Sequence, residues 1–261
     1  MDIVGELGLS IDNGGRVDGG HRAESRSGGL RSGVPDPTPL AVIRAGRTRY
    51  RDAVELQRTH LEAVLASRES GSPELGRIIL TEHEPVITVT RRPGAQSHVL
   101  FSQAALAARG IEVCETDRGG DVTYHGPGQL VCYPIIDLNR AGLRIHEYMR
   151  ALEEAVIGVL SRFGIESRRD PEATGVWVPR GDGQDAKICA MGVRVRRWVS
   201  MHGLAINIDP DMSHFGLIVP CGLAGRPVIS MKEIAGEACP SMDQVAGLLV
   251  EELGRVLRPM G

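Results

Sequence analysis

The sequence predicts a mixed α/β domain, a β-sheet of mixed strand direction with helices packed against it. Three observations lead there. Short β-branched runs with period-two alternation recur along the chain, amphipathic stretches with helical spacing fall among them, and the two kinds do not follow a strict βαβα order. The 261 residues are 42% apolar and 24% charged, which fits a globular protein and favours one domain over two small ones. With two Trp, four Tyr and three Phe, the core must be built from Val, Leu, Ile and Ala.

Residues 1–38 read as a disordered tail. "DNGGRVDGGHRAESRSGGLRSGVPDPTP" is rich in Gly, Arg, Ser and Asp and has almost nothing to bury. The domain is therefore assigned to 39–261. Tyr50 to Arg68 places Val54, Leu61, Val64 and Leu65 on one helical face. "RIILTEHEPVITVTRR" gives two strands around the break at Glu84-Pro85. "SQAALAARG" is a short helix stopped at Gly110, and "GQLVCYPIIDL" is a strand whose ladder Pro134 should disturb. Ile145 to Phe163 is a strongly amphipathic helix, and "GVWV" a short strand. "KICAMGVRVRRWVSMHGLAINI" supplies two long alternating runs, a hairpin around Arg196-Arg197. The last helix opens with a capping box, Ser241 with Gln244, and carries Val245, Leu248, Leu249, Leu253 and Val256 on its apolar face.

Composition also excludes functions. A net charge of -3 argues against a general nucleic-acid binder. No apolar run reaches the roughly 18 residues of a membrane span, and the N-terminus has no apolar signal-peptide core. The five cysteines (Cys114, Cys132, Cys189, Cys221 and Cys239) form no CxxC pair, so no metal site is expected. An odd, scattered set in a chain without a signal predicts reduced thiols and a cytoplasmic location.

Three clusters can carry chemistry. The first is "DRGGDVTYHGPGQLVCYP", Asp117 to Pro134, where glycine turns bracket a short extended piece that puts Thr123 and His125 on one side. It is neither a Walker loop nor GxGxxG. A glycine-rich β-turn with a satisfied histidine explains it equally well on local chemistry. The second is Lys187 at the head of "KICAMGVRV", paired with the returning "SMHGLAIN", which sets His202 beside Gly203. Burial statistics favour a solvated edge lysine there; the alternative is a lysine held in a dry pocket. The third is "FGLIVPCGLAG", where Cys221 sits between Pro220 and Gly222. Cysteines inside strands, as Cys132 and Cys189 are, fill space; one bracketed by Pro and Gly is presented like a nucleophile.

Together, "RGGDVTYHGPGQLVCYP", "KICAMGVRV…HGLAIN" and "FGLIVPCG" resemble the lipoyl(octanoyl) transferases, over roughly residues 40 to 257. The resemblance implies the biotin/lipoate protein ligase catalytic-domain fold. It also implies transfer of octanoyl groups from octanoyl-acyl carrier protein to lipoyl domains of 2-oxoacid dehydrogenase complexes or the glycine cleavage H protein, with no cofactor. It carries a catalytic dyad onto Cys221 and Lys187. It carries an acyl pocket onto Arg118, Gly119, Gly120, Asp121, Val122, Thr123, Tyr124 and His125, onto Ala190, Met191 and Gly192, and onto Gly203, Leu204 and Ala205. On this view the glycines let an aliphatic chain lie against main chain, with Thr123 and His125 over the reacting end. One stretch departs from the family pattern: "EHEPVITVTRR" has Ile87 where an aromatic residue is usual and Thr90 where a glycine is.

Competing readings are an ATP-dependent lipoate-protein ligase and a non-catalytic acyl- or protein-binding module. Arg194, Arg196 and Arg197 at the hairpin tip suggest docking of an acidic protein partner rather than nucleic acid.

Overall fold

The computed structural model of the chain describes residues 9–12, 40–72, 74–181, 183–219 and 226–257. A large mixed sheet organises it. In spatial order its strands are β2 (Ala41–Thr48), β3 (Gly76–His83), β7 (Gln129–Ile136), β11 (Val199–Asn207), β10 (Asp185–Arg196), β9 (Val176–Pro179) and β8 (Arg168–Arg169). β2 and β3 run parallel and the other neighbours antiparallel. A second sheet has the order β5 (Glu112–Thr116), β4 (Val86–Thr90), β6 (Val122–His125). The two strands read on either side of Glu84-Pro85 thus belong to different sheets, and two residues suffice for the crossing.

The large sheet is sandwiched between helices, as alternation along its strands requires. Ile78, Leu80, Leu130, Cys132, Leu204 and Ile206 face α4 (Ile145–Arg162) and α6 (Met242–Val256), in one buried cluster with Leu152, Val156, Val245 and Leu249. Ile79, Val131, Tyr133, Ile135 and Met201 share the opposite cluster with Ala53, Leu61, Val64 and Leu65 of α1 (Tyr50–Glu69). Shorter helices, α2 (Gln103–Ala107), α3 (Leu138–Ala141) and α5 (Met231–Ala235), sit at the connections. The capping box of α6 is complete: the Gln244 amide donates to Ser241 Oγ (3.3 Å), and Gln244 Oε1 accepts from the Ser241 amide (2.9 Å). Among the described residues no helix is long and apolar enough to cross a membrane.

Pro134 disturbs only one of its two ladders. On the β3 side pairing runs through it unbroken, from Gly76–Ile136 to Thr81–Val131. On the β11 side pairing stops at Leu204–Cys132, just before the missing N–H would be needed. There Ser200 takes over, its hydroxyl donating to Pro134 O (2.7 Å) and accepting from the Ile136 amide (2.9 Å).

The tail gives a second difference. Its composition predicts no structure, yet Leu9–Asp12 forms a strand, β1, parallel to residues 193–196 of β10. β9 pairs with β10 only over residues 185–189, so the far end of β10 has an open edge, and β1 covers it.

Main chains approach too closely at Gly203 for any side chain. A Cβ there would lie 2.2 Å from Cys132 O and 2.7 Å from Pro134 Cδ. Gly203→Ala should therefore cost about 2–3 kcal/mol in urea unfolding. Gly247→Ala, on α6 with nothing within 4 Å of the added methyl, should instead gain about 0.5–1 kcal/mol. Equal effects at the two positions would contradict this packing.

Candidate active site

Eleven of the fourteen residues expected to form the acyl pocket line one cavity. They are Arg118, Gly120, Asp121, Thr123 and His125, then Ala190, Met191 and Gly192, then Gly203, Leu204 and Ala205. Gly119, Val122 and Tyr124 do not line it. The alternation of β6 explains two of these: Thr123 and His125 face the cavity, whereas Val122 and Tyr124 face the core of the small sheet with Ile87 and Phe215. Tyr124 ends in a hydroxyl 2.8 Å from His214 Nδ1. Tyr50, Val131, Tyr133 and His202 complete the lining and were not read from the sequence as pocket residues.

The turn 117–121 is clamped onto β10. The Gly119 amide donates to Val193 O at 3.0 Å. A Cβ on Gly192 would lie 2.6 Å from Gly119 O, so the bare backbone at Gly192 is met by the protein's own turn rather than left open. Arg118 braces the same turn, donating to Gly119 O (2.9 Å), Thr88 Oγ1 (3.0 Å) and Asp121 O (3.0 Å). Thr90, which stands where the family pattern has glycine, donates its hydroxyl to Gly120 O (3.0 Å). That departure therefore adds a strut to the turn. Ile87, the other departure, is fully buried in the small-sheet core.

A buried histidine cluster, of which His125 and His202 line the cavity and His83 lies behind them, stays neutral. His202 has a left-handed backbone (φ +57°) inside a strand, rare for a residue with a side chain. Its amide leaves the ladder to donate to Gln57 Oε1 (2.7 Å), and its Nε2 lies 2.8 Å from Asp117 Oδ1. That hydrogen bond, with Arg194 also bonded to the carboxylate, holds Asp117 down at about 2 despite burial. Burial pushes the His202 imidazole down. His83 packs at 2.6 Å from the Tyr133 hydroxyl, and burial lowers it to about 4. His125 sits 2.6 Å from Gln129 Oε1, stacks on Tyr50 and is lowered by burial to about 3.

Lys187 is not a solvated edge residue. It is buried, with its ammonium 4.6 Å from the centre of the Trp177 indole. Arg226 covers the same ring at 3.7 Å. The Lys187 amide donates to Pro227 O (2.9 Å), and its carbonyl accepts from the Ile229 amide (3.0 Å). Cys221 and Gly222 lie outside the described residues. The flanks of their segment are anchored: Val219 donates to His98 O (2.8 Å), and Pro227 and Ile229 bond Lys187. Cys114, Cys132 and Cys189 are buried, and burial pushes all three thiols up, as it does that of Cys239.

The hairpin arginines are partly engaged within the fold. Arg194 is bonded to Asp117 beside the cavity, and Arg196 pairs with Glu62 of α1 at 2.9 Å. Arg197 occupies the turn itself, with φ +50°.

The neutral histidines set a pH dependence. A histidine depressed in the fold binds its proton more readily when unfolded, so its stabilisation is full above pH about 6.5 and is lost as pH falls towards its folded value. For His83 and His125 that loss spans the interval from about 6.5 to about 4 and about 3. Unfolding free energy should be flat from pH 8 to 7. It should then fall by up to about 1.4 kcal/mol per pH unit for each group, before the carboxylates begin to titrate. Chemical denaturation across this range measures it; constant stability down to pH 4.5 would contradict the assignment.

Comparison with known proteins places the chain in a family. A family model described as the lipoyl protein ligase A/B catalytic domain matches residues 49–254. The chain is 44% identical over 218 residues to an octanoyltransferase of Chloroflexus aurantiacus, covering 83% of this chain and 93% of that one. It is 41% identical over 208 residues to an octanoyltransferase of Bacteroides thetaiotaomicron, covering 80% and 91%. Among solved structures, the bipartite lipoate protein ligase of Thermoplasma acidophilum superposes with a TM-score of 0.63 at 19% identity, covering 84% of each chain. Lipoate-protein ligase A bound with ATP gives 0.61 at 17% identity, covering 84% of this chain and 86% of that one. These structural likenesses establish a common fold, and the sequence matches go further: the chain belongs to the octanoyltransferases, acyltransferases of protein lipoylation built on the lipoyl protein ligase A/B catalytic domain.

Proposed function

We propose that the protein moves an octanoyl group from octanoyl-acyl carrier protein to a lysine of lipoyl domains, through a thioester on Cys221 and without a cofactor. The acceptors would be the lipoyl domains of 2-oxoacid dehydrogenase complexes or the glycine cleavage H protein. The four described cysteines are free thiols, which suits the reducing cytoplasm.

The observation that carries this reading is the placement of Lys187. A buried ammonium held on an indole face is bonded through its own main chain to the segment that follows Cys221. A free thiol with pKa about 8.5 is only about 3% thiolate at pH 7, and only thiolate attacks. A cation beside it lowers that pKa; a shift of ~1.5 units needs about 2 kcal/mol of differential interaction. The four described cysteines are held as thiols by burial, which favours Cys221 for the chemistry.

In the first half-reaction Cys221 attacks the donor thioester, and the carrier thiolate leaves. The oxyanion forms near main-chain N–H groups, with Gly222 as the candidate, since Gly192 is paired with Gly203 in the β10–β11 ladder. Lys187 supplies the proton the leaving thiolate takes up. In the second half-reaction the lipoyl-domain amine attacks the octanoyl-enzyme and releases Cys221, its surplus proton passing back to the dyad. Thioester to amide is downhill, so no nucleotide is needed. The C8 chain would lie in the cavity lined by Thr123, His125, Met191, Leu204 and Ala205, at roughly 0.8 kcal/mol per buried CH2.

Intact-protein mass spectrometry after incubation with octanoyl-acyl carrier protein tests this. Wild type should gain one octanoyl group without ATP and lose it when a lipoyl domain is added; Cys221→Ser should gain none. Lys187→Met should load about a hundredfold more slowly at pH 7, with the gap narrowing at higher pH as the thiol ionises unaided. Lipoyl-domain modification that requires ATP and free acid, with no adduct on the enzyme, would replace this reading with a ligase.

A further inference from the structure

His125 is held by a chain of amides that fixes which of its nitrogens carries the proton. Asn207 donates its side-chain N–H to Ile229 O (3.1 Å). Gln129 donates to Tyr124 O (3.3 Å) and to Asn207 Oδ1 (2.9 Å). Main-chain carbonyls only accept, so both amides are locked in this orientation. Gln129 therefore turns Oε1, which only accepts, towards His125 Nδ1, 2.6 Å away. It follows that Nδ1 carries the proton and that the neutral ring keeps a lone pair on Nε2.

That lone pair has no partner among the described residues. Nε2 is also absent from the buried polar atoms left without a hydrogen bond, a set that does include His202 Nδ1 and Gln57 Nε2. It is therefore reached from the cavity that His125 lines. On the thioester reading above, the cavity's occupant is an acyl chain, and neither an acyl chain nor a thioester carbon has an N–H or O–H to offer. The donor that the reaction brings in is the amine of the acceptor lysine.

We propose that Gln129 and Asn207 are positioning residues that lock His125 in the Nδ1–H tautomer, so that Nε2 accepts an N–H of the attacking lysine amine and aims the nitrogen lone pair at the thioester carbonyl. The C–N bond then forms and the C–S bond to Cys221 breaks, its electron pair leaving on sulfur. The proton shed by nitrogen passes to Lys187, which restores the Cys221 thiolate and its ammonium partner. His125 serves as a hydrogen-bond acceptor throughout and is itself never protonated.

The tautomer is measured directly by long-range 1H–15N correlation of the wild-type histidines, with His125 assigned by its loss in His125→Gln. The expected result at pH 7 is a protonated Nδ1 and a bare Nε2; the opposite tautomer would overturn the proposal. Gln129→Met keeps the chain length and removes the acceptor. In that variant His125 should move towards the Nε2–H tautomer. Discharge of octanoyl-enzyme to a lipoyl domain should slow at least about tenfold more than loading does, the scale of one hydrogen bond in the transition state. Equal slowing of both half-reactions would overturn the positioning role while leaving the thioester route standing. A wild type that never loads would remove the thioester route and the amine's role with it, a result distinct from either of these.

Discussion

Two glycines facing each other across the β10–β11 ladder set how closely the site is drawn together. Gly192 pairs with Gly203, and neither position has room for a side chain. At Gly192 the missing Cβ lets the turn 117–121 lie directly on the strand, which brings Arg118 and Asp121 to the cavity wall. At Gly203 it lets β11 close on β7 beside Pro134. The adjoining His202 has a left-handed backbone, and its ring reaches Asp117. A side chain at either glycine would push apart the elements that carry the cavity.

The polar groups behind that wall are arranged so that few charges are buried. Asp117 keeps its charge because His202 and Arg194 both bond it. His83, His125 and His202 are held neutral by burial. Tyr133 and Tyr50 remain phenols for the same reason. The neutral part of the wall costs an aliphatic chain little, while its fixed dipoles still orient a reacting group. Lys187 lies on the face of Trp177, and its main chain bonds Pro227 and Ile229.

Much of the fold was legible in the sequence because periodicity is local. The helices at Tyr50–Glu69, Ile145–Arg162 and Met242–Val256 follow from apolar spacing, and the β10–β11 hairpin from alternation. What depends on distant partners was not legible. Nothing in "EHEP" says that the strands on its two sides enter different sheets. The fate of Pro134 depends on Ser200, 66 residues away, and the strand at Leu9–Asp12 depends on an open edge of β10. At the cavity, the glycines and His125 stood out in their motif. Trp177 gave no signal beyond its strand, and Asp117 lay at the motif's rim. Gln129 and Asn207 stand at the first position of β7 and the last of β11, where a polar residue draws no notice, and only the folded chain joins them to each other and to His125.

The measurement that tests the account most directly is a crystal structure of the enzyme loaded with octanoate from its thioester donor. The account predicts density for a C8 chain running from Cys221 Sγ into the cavity between Gly203 and Thr123, with the Lys187 ammonium within hydrogen-bonding reach of that sulfur. An acyl chain attached elsewhere, or a loaded Cys221 whose chain lies outside this cavity, would contradict it.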